Sequence, residues 1–285
     1  MGREPEAMRV LAEIEEIARG FSGRLGVWAC RVDGGEPVAY GAEEPFPTAS
    51  TIKVPILYEV FRQAGEGRFR LEDPLPLTRE NQVPGSGVLK DLTPGIALPV
   101  RDYCTLMITV SDNTATNVLL DLVGVEAVTR SMAAIGLHRT RLYRKIFQGS
   151  GPLAESTPAD LGRLLLGLAR GEWLTPGACA EMLGMLYRQQ HKEMLTRYID
   201  DYQFEEEEMG RCPVRVASKS GWSDDVRADV GLIETPSVRY VVAIMSKGCR
   251  DEREHPDHEG AIALARVSRA IYDHFTTLAG PTPRR

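Results

Sequence analysis

Ser50-Thr51-Ile52-Lys53 sets a hydroxyl and an amine three positions apart. On a helix this spacing is about one turn, so both side chains rise from one face and the amine can reach the hydroxyl. A serine hydroxyl is a poor nucleophile until a base takes its proton. A helix start also offers free N–H groups and a positive dipole end to a developing oxyanion. Alone the spacing says little, because a capping serine followed by an exposed lysine reads the same way.

Two further clusters give it context. Ser111-Asp112-Asn113 lies between the apolar run Leu106-Met107-Ile108 and a helical run from Ala115 to Val123. Lys219-Ser220-Gly221 closes a strand that opens with Val214-Arg215-Val216-Ala217. Together they add a second cation, two hydroxyls and an amide to the first pair.

The ordered set Ser-x-x-Lys, Ser-Asp-Asn and Lys-Ser-Gly resembles that of class A β-lactamases and penicillin-binding proteins, with Ser for Thr in the last element and the hydroxyl kept. Phe46 to Lys53, Val83 to Leu89, Leu106 to Asn117 and Thr157 to Leu161 are similar to segments of the same family, so the resemblance runs over roughly residues 20 to 275. It implies an acyl-enzyme on Ser50, with Lys53 as its proton acceptor and Ser111 as relay to the departing nitrogen. Burial and the charge of Lys219 would push the Lys53 amine toward its neutral form. The resemblance further implies oxyanion donors at the N–H groups of Ser50 and Trp222, just past Gly221. Asn113 is expected on the substrate's amide side chain, and Lys219 and Ser220 on its carboxylate. Arg227 is either a second cation for that carboxylate or a surface strand arginine.

One family element is missing. Class A β-lactamases carry Glu-x-x-x-Asn on the loop before Thr-Pro, the Glu activating the deacylating water. Here the loop from about Thr140 to Ser156 has no Asn, and its only carboxylate is Glu155. Thr157 reads as an N-cap with Pro158 at N1 and Asp160 at the capping-box position. That makes Glu155 local helix-start structure, with the deacylation base as its alternative role. Acylation is therefore the firmer expectation and rapid turnover the softer one.

The surrounding elements suit such a site. Apolar Met8, Leu11, Ile14 and Ile17 predict a helix over residues 6–19, and Leu25 to Val32 a strand. Gly34-Gly35 turns the chain toward a second strand at Val38-Ala39-Tyr40. Ala228 to Ile233 and Tyr240 to Met245 predict two more strands, and residues 260–275 a closing helix. Between Ile52 and Tyr198 the patterns are mostly helical. The expected fold is α/β of the α+β kind, a single catalytic unit (1–285). Its antiparallel sheet is built from both chain ends (1–45 and 210–285), an all-helical lobe (46–209) is inserted, and the site lies in the cleft between them.

Composition bounds the rest. A net charge of −6 argues against a nucleic-acid partner, which would need a basic surface. No apolar run reaches the ~18 residues that span a bilayer. The N-terminus shows no signal-peptide pattern, so the chain as it stands reads as cytoplasmic, or exported if an upstream signal was removed. Five scattered cysteines without Cys-x-x-Cys read as reduced thiols. His255-Pro256-Asp257-His258-Glu259 has metal-ligand residue types, but Pro256 opposes a regular helix there, so it reads as a polar loop. His138, His191 and His274 carry no expected role. Trp28 and Trp173 are expected in the core or at the lobe interface, and the acidic run Glu205 to Glu208 in a solvated loop. No cofactor is implied. The expected partner is a small substrate, a β-lactam or an acyl-peptide or ester. A D,D-peptidase, an esterase and a non-turnover β-lactam-binding protein are the alternatives to a β-lactamase.

Overall fold

A computed structural model describes residues 3–279. The chain opens with α1 (Arg3–Gly20), β1 (Arg24–Arg31), β2 (Val38–Tyr40) and the short β3 (Phe46–Pro47), then makes a 3-10 turn over Ala49–Ile52 that runs into α2 (Lys53–Gly65). A two-stranded ribbon, β4 (Pro74–Pro76) with β5 (Ala97–Pro99), precedes α3 (Val100–Thr109), α4 (Asn113–Val123) and α5 (Val125–Ala134). Then come β6 (Arg141–Leu142), β7 (Ala154–Ser156), α6 (Pro158–Arg170), α7 (Pro176–Tyr187) and the single-turn α8 (Phe204–Glu208). The chain closes with β8 (Arg215–Ser223), β9 (Val226–Glu234), β10 (Arg239–Lys247) and α9 (Glu259–Ala279).

The main sheet has the order β2-β1-β10-β9-β8 and is antiparallel throughout, so the chain's two ends meet where β1 pairs with β10. Alternation along β10 shows why both faces are covered. Tyr240, Val242 and Ile244 pack with Val10 and Ile14 of α1 and Leu264 and Ile271 of α9, while Val241, Ala243 and Met245 face the helical part of the chain. On that second face Trp28 lies so close over α6 that a Cβ on Gly162 would stand 2.1 Å from its ring. Trp173, expected in the core or at the lobe interface, covers Gly167 but stays 40 % exposed. Among the described residues no helix is long and apolar enough to cross a membrane.

Two expectations change. The strand opening near Val214 does not end at Lys219-Ser220-Gly221 but runs through it to Ser223. Every residue from Val216 to Gly221 is buried, but Lys219, Ser220 and Gly221 lack the apolar β-branched character that marks β9 and β10 as strands. The acidic run is no solvated loop. It forms α8, and Glu207 turns inward to a buried ion pair with Lys192 at 2.6 Å. All five cysteines are free and four are buried.

Candidate active site

The nucleophile turn is set by its own backbone. Thr51 N–H and Oγ1 both donate to Thr48 O (3.0 and 2.7 Å), and the Lys53 N–H donates to the Ser50 and Thr51 carbonyls. Ala49 at the start of the turn takes φ 43°, a left-handed conformation costly to a residue with a Cβ. Ser50 therefore stands in a 3-10 turn, half-buried, with Lys53 opening α2 behind it.

Lys53 is fully buried and its Nζ donates to Ser111 O (2.6 Å), Ser111 Oγ (3.0 Å) and Asn113 Oδ1 (2.9 Å). The first two motifs thus meet at one nitrogen. Burial, then the charge of Lys219, hold the Lys53 amine well below the usual lysine range, against a smaller opposing pull from Asp112. Ser111 reaches this nitrogen from the junction between α3 and α4, where it adopts φ 55°. Asp112 fixes the junction: it caps α4 by accepting from Ala115 N (2.8 Å) and also accepts from Val88 N (2.6 Å) and Leu89 N (2.9 Å). Gly87 is required there, since a Cβ would stand 2.2 Å from the Asp112 carboxylate. Asn113 spends one amide hydrogen on Pro84 O (3.2 Å), which leaves its second for a ligand.

The opposite wall is the edge strand β8. A Cβ on Gly221 would lie 2.5 Å from Ser50 N and 3.0 Å from Thr51 N, so only glycine lets β8 pass this close to the nucleophile turn. Val216 and Ser220 turn their N–H groups off the sheet, to Glu207 Oε1 (2.7 Å) and Gln189 Oε1 (2.9 Å). Trp222, two residues on in the same continuous register, turns its N–H to that same side, off the sheet. Lys219 is fully buried, its Nζ donating to Ser220 O at 2.8 Å. Burial brings its pKa down to about 7, and buried Asp229 on β9, itself pushed up to about 8 by burial, opposes that shift. Arg227 faces Trp222 across the hairpin, but its guanidinium is spent on the carbonyls of Ser223 (2.5 Å), Val226 (2.8 Å) and Arg253 (3.2 Å).

The third border is the segment from Arg141 to Ser156. Asn117 clasps it both ways, accepting from Ile146 N (2.9 Å) and donating to Ile146 O (3.0 Å). Glu155 sits in β7 between buried Ala154 and Ser156, opposite Pro47 on β3 and Arg141 on β6, both exposed. Its carboxylate accepts from the exposed Tyr143 hydroxyl at 2.5 Å. Thr157 caps Asp160 N (3.1 Å), but the Asp160 carboxylate accepts from Arg139 N (2.9 Å) and Thr140 Oγ1 (3.0 Å) instead of closing a capping box. His258 Nδ1 accepts from Gly260 N at 2.9 Å, and no three metal-ligand side chains converge among the described residues.

Sequence reasoning missed Gln189, Asn117 and His191. The His191 ring meets Trp222 edge-on at 5.3 Å. No spacing rule marks these three, whose partners are backbone groups, hydroxyls or rings brought in from distant elements.

The model of the β-lactamase enzyme family matches residues 9–275. The chain is similar to a β-lactamase of Streptomyces fradiae (28 % identity, covering 94 % of this chain and 87 % of that one) and to β-lactamase PSE-4 of Pseudomonas aeruginosa (25 %, covering 94 % and 91 %). Its fold is similar to the crystal structure of a β-lactamase from Sphaerobacter thermophilus, with TM-score 0.83 and 32 % identity over 95 % of this chain and 98 % of that one. It is equally similar, at TM-score 0.83 and 28 % identity over 95 % and 97 %, to a mutant of PBP-A in acyl-enzyme complex with penicillin G. With the first two motifs meeting at one buried amine, these matches agree: the chain belongs to the β-lactamase enzyme family.

Proposed function

We propose that this serine hydrolase opens the amide of a β-lactam by acylation of Ser50, and that water releases the product slowly. Ser50 Oγ bonds to the carbonyl carbon while its proton passes to the Lys53 amine. The C–N bond then breaks, and Ser111 hands a proton from Lys53 to the departing nitrogen, so the amine returns to its starting state. The N–H groups of Ser50 and Trp222 hold the oxyanion. Asn113 takes the substrate's amide side chain with its remaining hydrogen. Lys219 places positive charge beneath the carboxylate, Ser220 donates to it, and Arg227 stiffens the hairpin that carries Trp222. The two lobes act as a single catalytic unit, since Lys53 and Gly221 come from opposite walls of one cleft.

The observation that carries the reading is the Lys53 nitrogen, buried, depressed by a second lysine and bonded to both residues of the Ser-x-Asn motif. Slow release is supported by Glu155, which faces outward and is engaged by Tyr143. A positioned base for water contributes roughly 10²–10⁴-fold, and no other carboxylate lies in that loop. Mass spectrometry after brief mixing with penicillin G tests this. The expected result is a penicilloyl adduct on Ser50 that decays over repeated sampling while penicilloic acid accumulates. An adduct that never decays favours a non-turnover penicillin-binding protein. No adduct, with hydrolysis of a simple ester, overturns the β-lactam reading.

A further inference from the structure

Gln189 follows α7, is fully buried, and reaches β8 at two alternate residues. Its Oε1 accepts from Ser220 N (2.9 Å) and Ser220 Oγ (2.9 Å), and its Nε2 donates to Ser218 Oγ (2.8 Å). A backbone N–H can only donate, so the oxygen end of the amide must face Ser220. It follows that the Ser220 hydroxyl is the donor in the second contact and that its proton is committed to Gln189. We infer that Gln189 is a positioning residue that withholds this proton, and so sets how the site ranks substrates with and without a free carboxylate. The inference rests on the assignment of Ser220 to the carboxylate made above.

Gln189 has no room to retreat. Gln190 N donates to Thr109 O at 2.9 Å, which ties the segment to the helix that leads into Ser111. Lys192 donates to Val216 O (2.8 Å), and Glu207 accepts from Val216 N (2.7 Å). Side chains thus bind the edge of β8 where a sixth strand would lie. In the free protein Ser220 offers the cleft lone pairs, and a carboxylate offers only lone pairs in return. To donate, the hydroxyl must turn and give up its bond to Oε1. A charge-assisted bond to a carboxylate offsets that loss, whereas a neutral ester offers a bond about half as strong.

The test measures the concentration for half-maximal acylation and the maximal acylation rate, using penicillin G and its methyl ester. Gln189→Met removes the acceptor. It should lower the half-maximal concentration for the free acid by about two- to tenfold, with the ester and both maximal rates moving far less. Gln189→Glu keeps the acceptor for Ser220, leaves the Ser218 hydroxyl to donate where Nε2 now donates to it, and adds charge. It should therefore raise that concentration for the acid only, and it covers the case in which the methionine variant does not fold. If acid and ester shift together in these variants, or neither shifts, the inference is overturned and Gln189 is a structural brace. Ser220→Ala separates the two readings. Should it fail to discriminate acid from ester, the carboxylate assignment itself falls. Should it discriminate while the Gln189 variants do not, only the role of Gln189 falls.

Discussion

Two borders of the cleft are built to different standards. Around Ser50 the protein sets left-handed backbone at Ala49 and Ser111, a fully buried lysine with three acceptors, and a glycine that lets β8 approach within a methyl's width. Such features are costly and persist only where the surroundings over-determine them. The border from Arg141 to Ser156 spends its polar groups on itself. Asn117 clasps Ile146, Arg144 bonds Gly151 O at 2.8 Å, Lys145 pairs with Asp121, and Tyr143 holds Glu155. On the proposed reading, attack by Ser50 is pre-organised and attack by water is not, so each step should answer to different substitutions.

The largest expected effect tests the first border. Ser50→Ala removes the only nucleophile in the proposed reaction, so adduct and product should both vanish, read by mass spectrometry and by loss of β-lactam absorbance. Residual penicilloylation at another serine would mean that the built border is not where acylation occurs.

Next comes the fit between the two walls. Gly221→Ala puts a methyl 2.5 Å from Ser50 N, a backbone atom that cannot swing aside. Acylation should fall on the order of 10²-fold or more as the two oxyanion donors separate, with a stability loss of about 1–3 kcal/mol from overpacking. The acylation rate and the thermal midpoint measure the two effects. A variant that loses stability but acylates normally would show that β8 does not set the oxyanion geometry.

The pH dependence sharpens the comparison further. Lys53 must be neutral to accept the Ser50 proton, a form that donates to only two of its three partners and leaves a lone pair free. Its depressed pKa makes that form available well below the range of an ordinary lysine. Lys219 must be charged to attract a carboxylate, and it loses its proton as pH rises through about 7. Acylation by penicillin G should therefore weaken above neutrality, by up to roughly tenfold per pH unit for a single titrating group, while acylation by the methyl ester should not. Equal pH profiles for acid and ester would detach Lys219 from the carboxylate.

How much of this was open to sequence reading follows from the same contrast. Ser50, Lys53, Ser111, Asn113 and Lys219 are legible because the ordered motifs resemble those of the family, spacing alone being too common to mark them, and the structure brings Lys53 together with Ser111 and Asn113. The antiparallel sheet made from both chain ends was legible from the strand patterns of β1, β9 and β10. The run of β8 through Lys219, Ser220 and Gly221 was hidden, because these residues lack the β-branched apolar character that marks β9 and β10, strands equally buried on both faces. Gln189 and Asn117 were hidden for another reason. Each is a single amide whose partners lie on distant elements and have no sequence signature of their own. Glu207 looked solvated among its acidic neighbours until Lys192 was found buried against it.

The smallest expected effect bears on the second border and is the most diagnostic. Glu155→Gln keeps the side chain's size and an acceptor for Tyr143, and the site is half-exposed, so folding should change by no more than about 0.5 kcal/mol. If Glu155 only braces the exposed face of β7, acylation and adduct decay should both stay within about twofold of the parent chain, well inside the 10²–10⁴-fold worth of a general base. Time-resolved mass spectrometry of the adduct reads the two rates separately. A variant that acylates normally but holds its adduct a hundred times longer would make Glu155 the activator of water. The carboxylate would then have to leave Tyr143 and turn toward Ser50 after acylation, and the two borders would differ in timing instead of in construction.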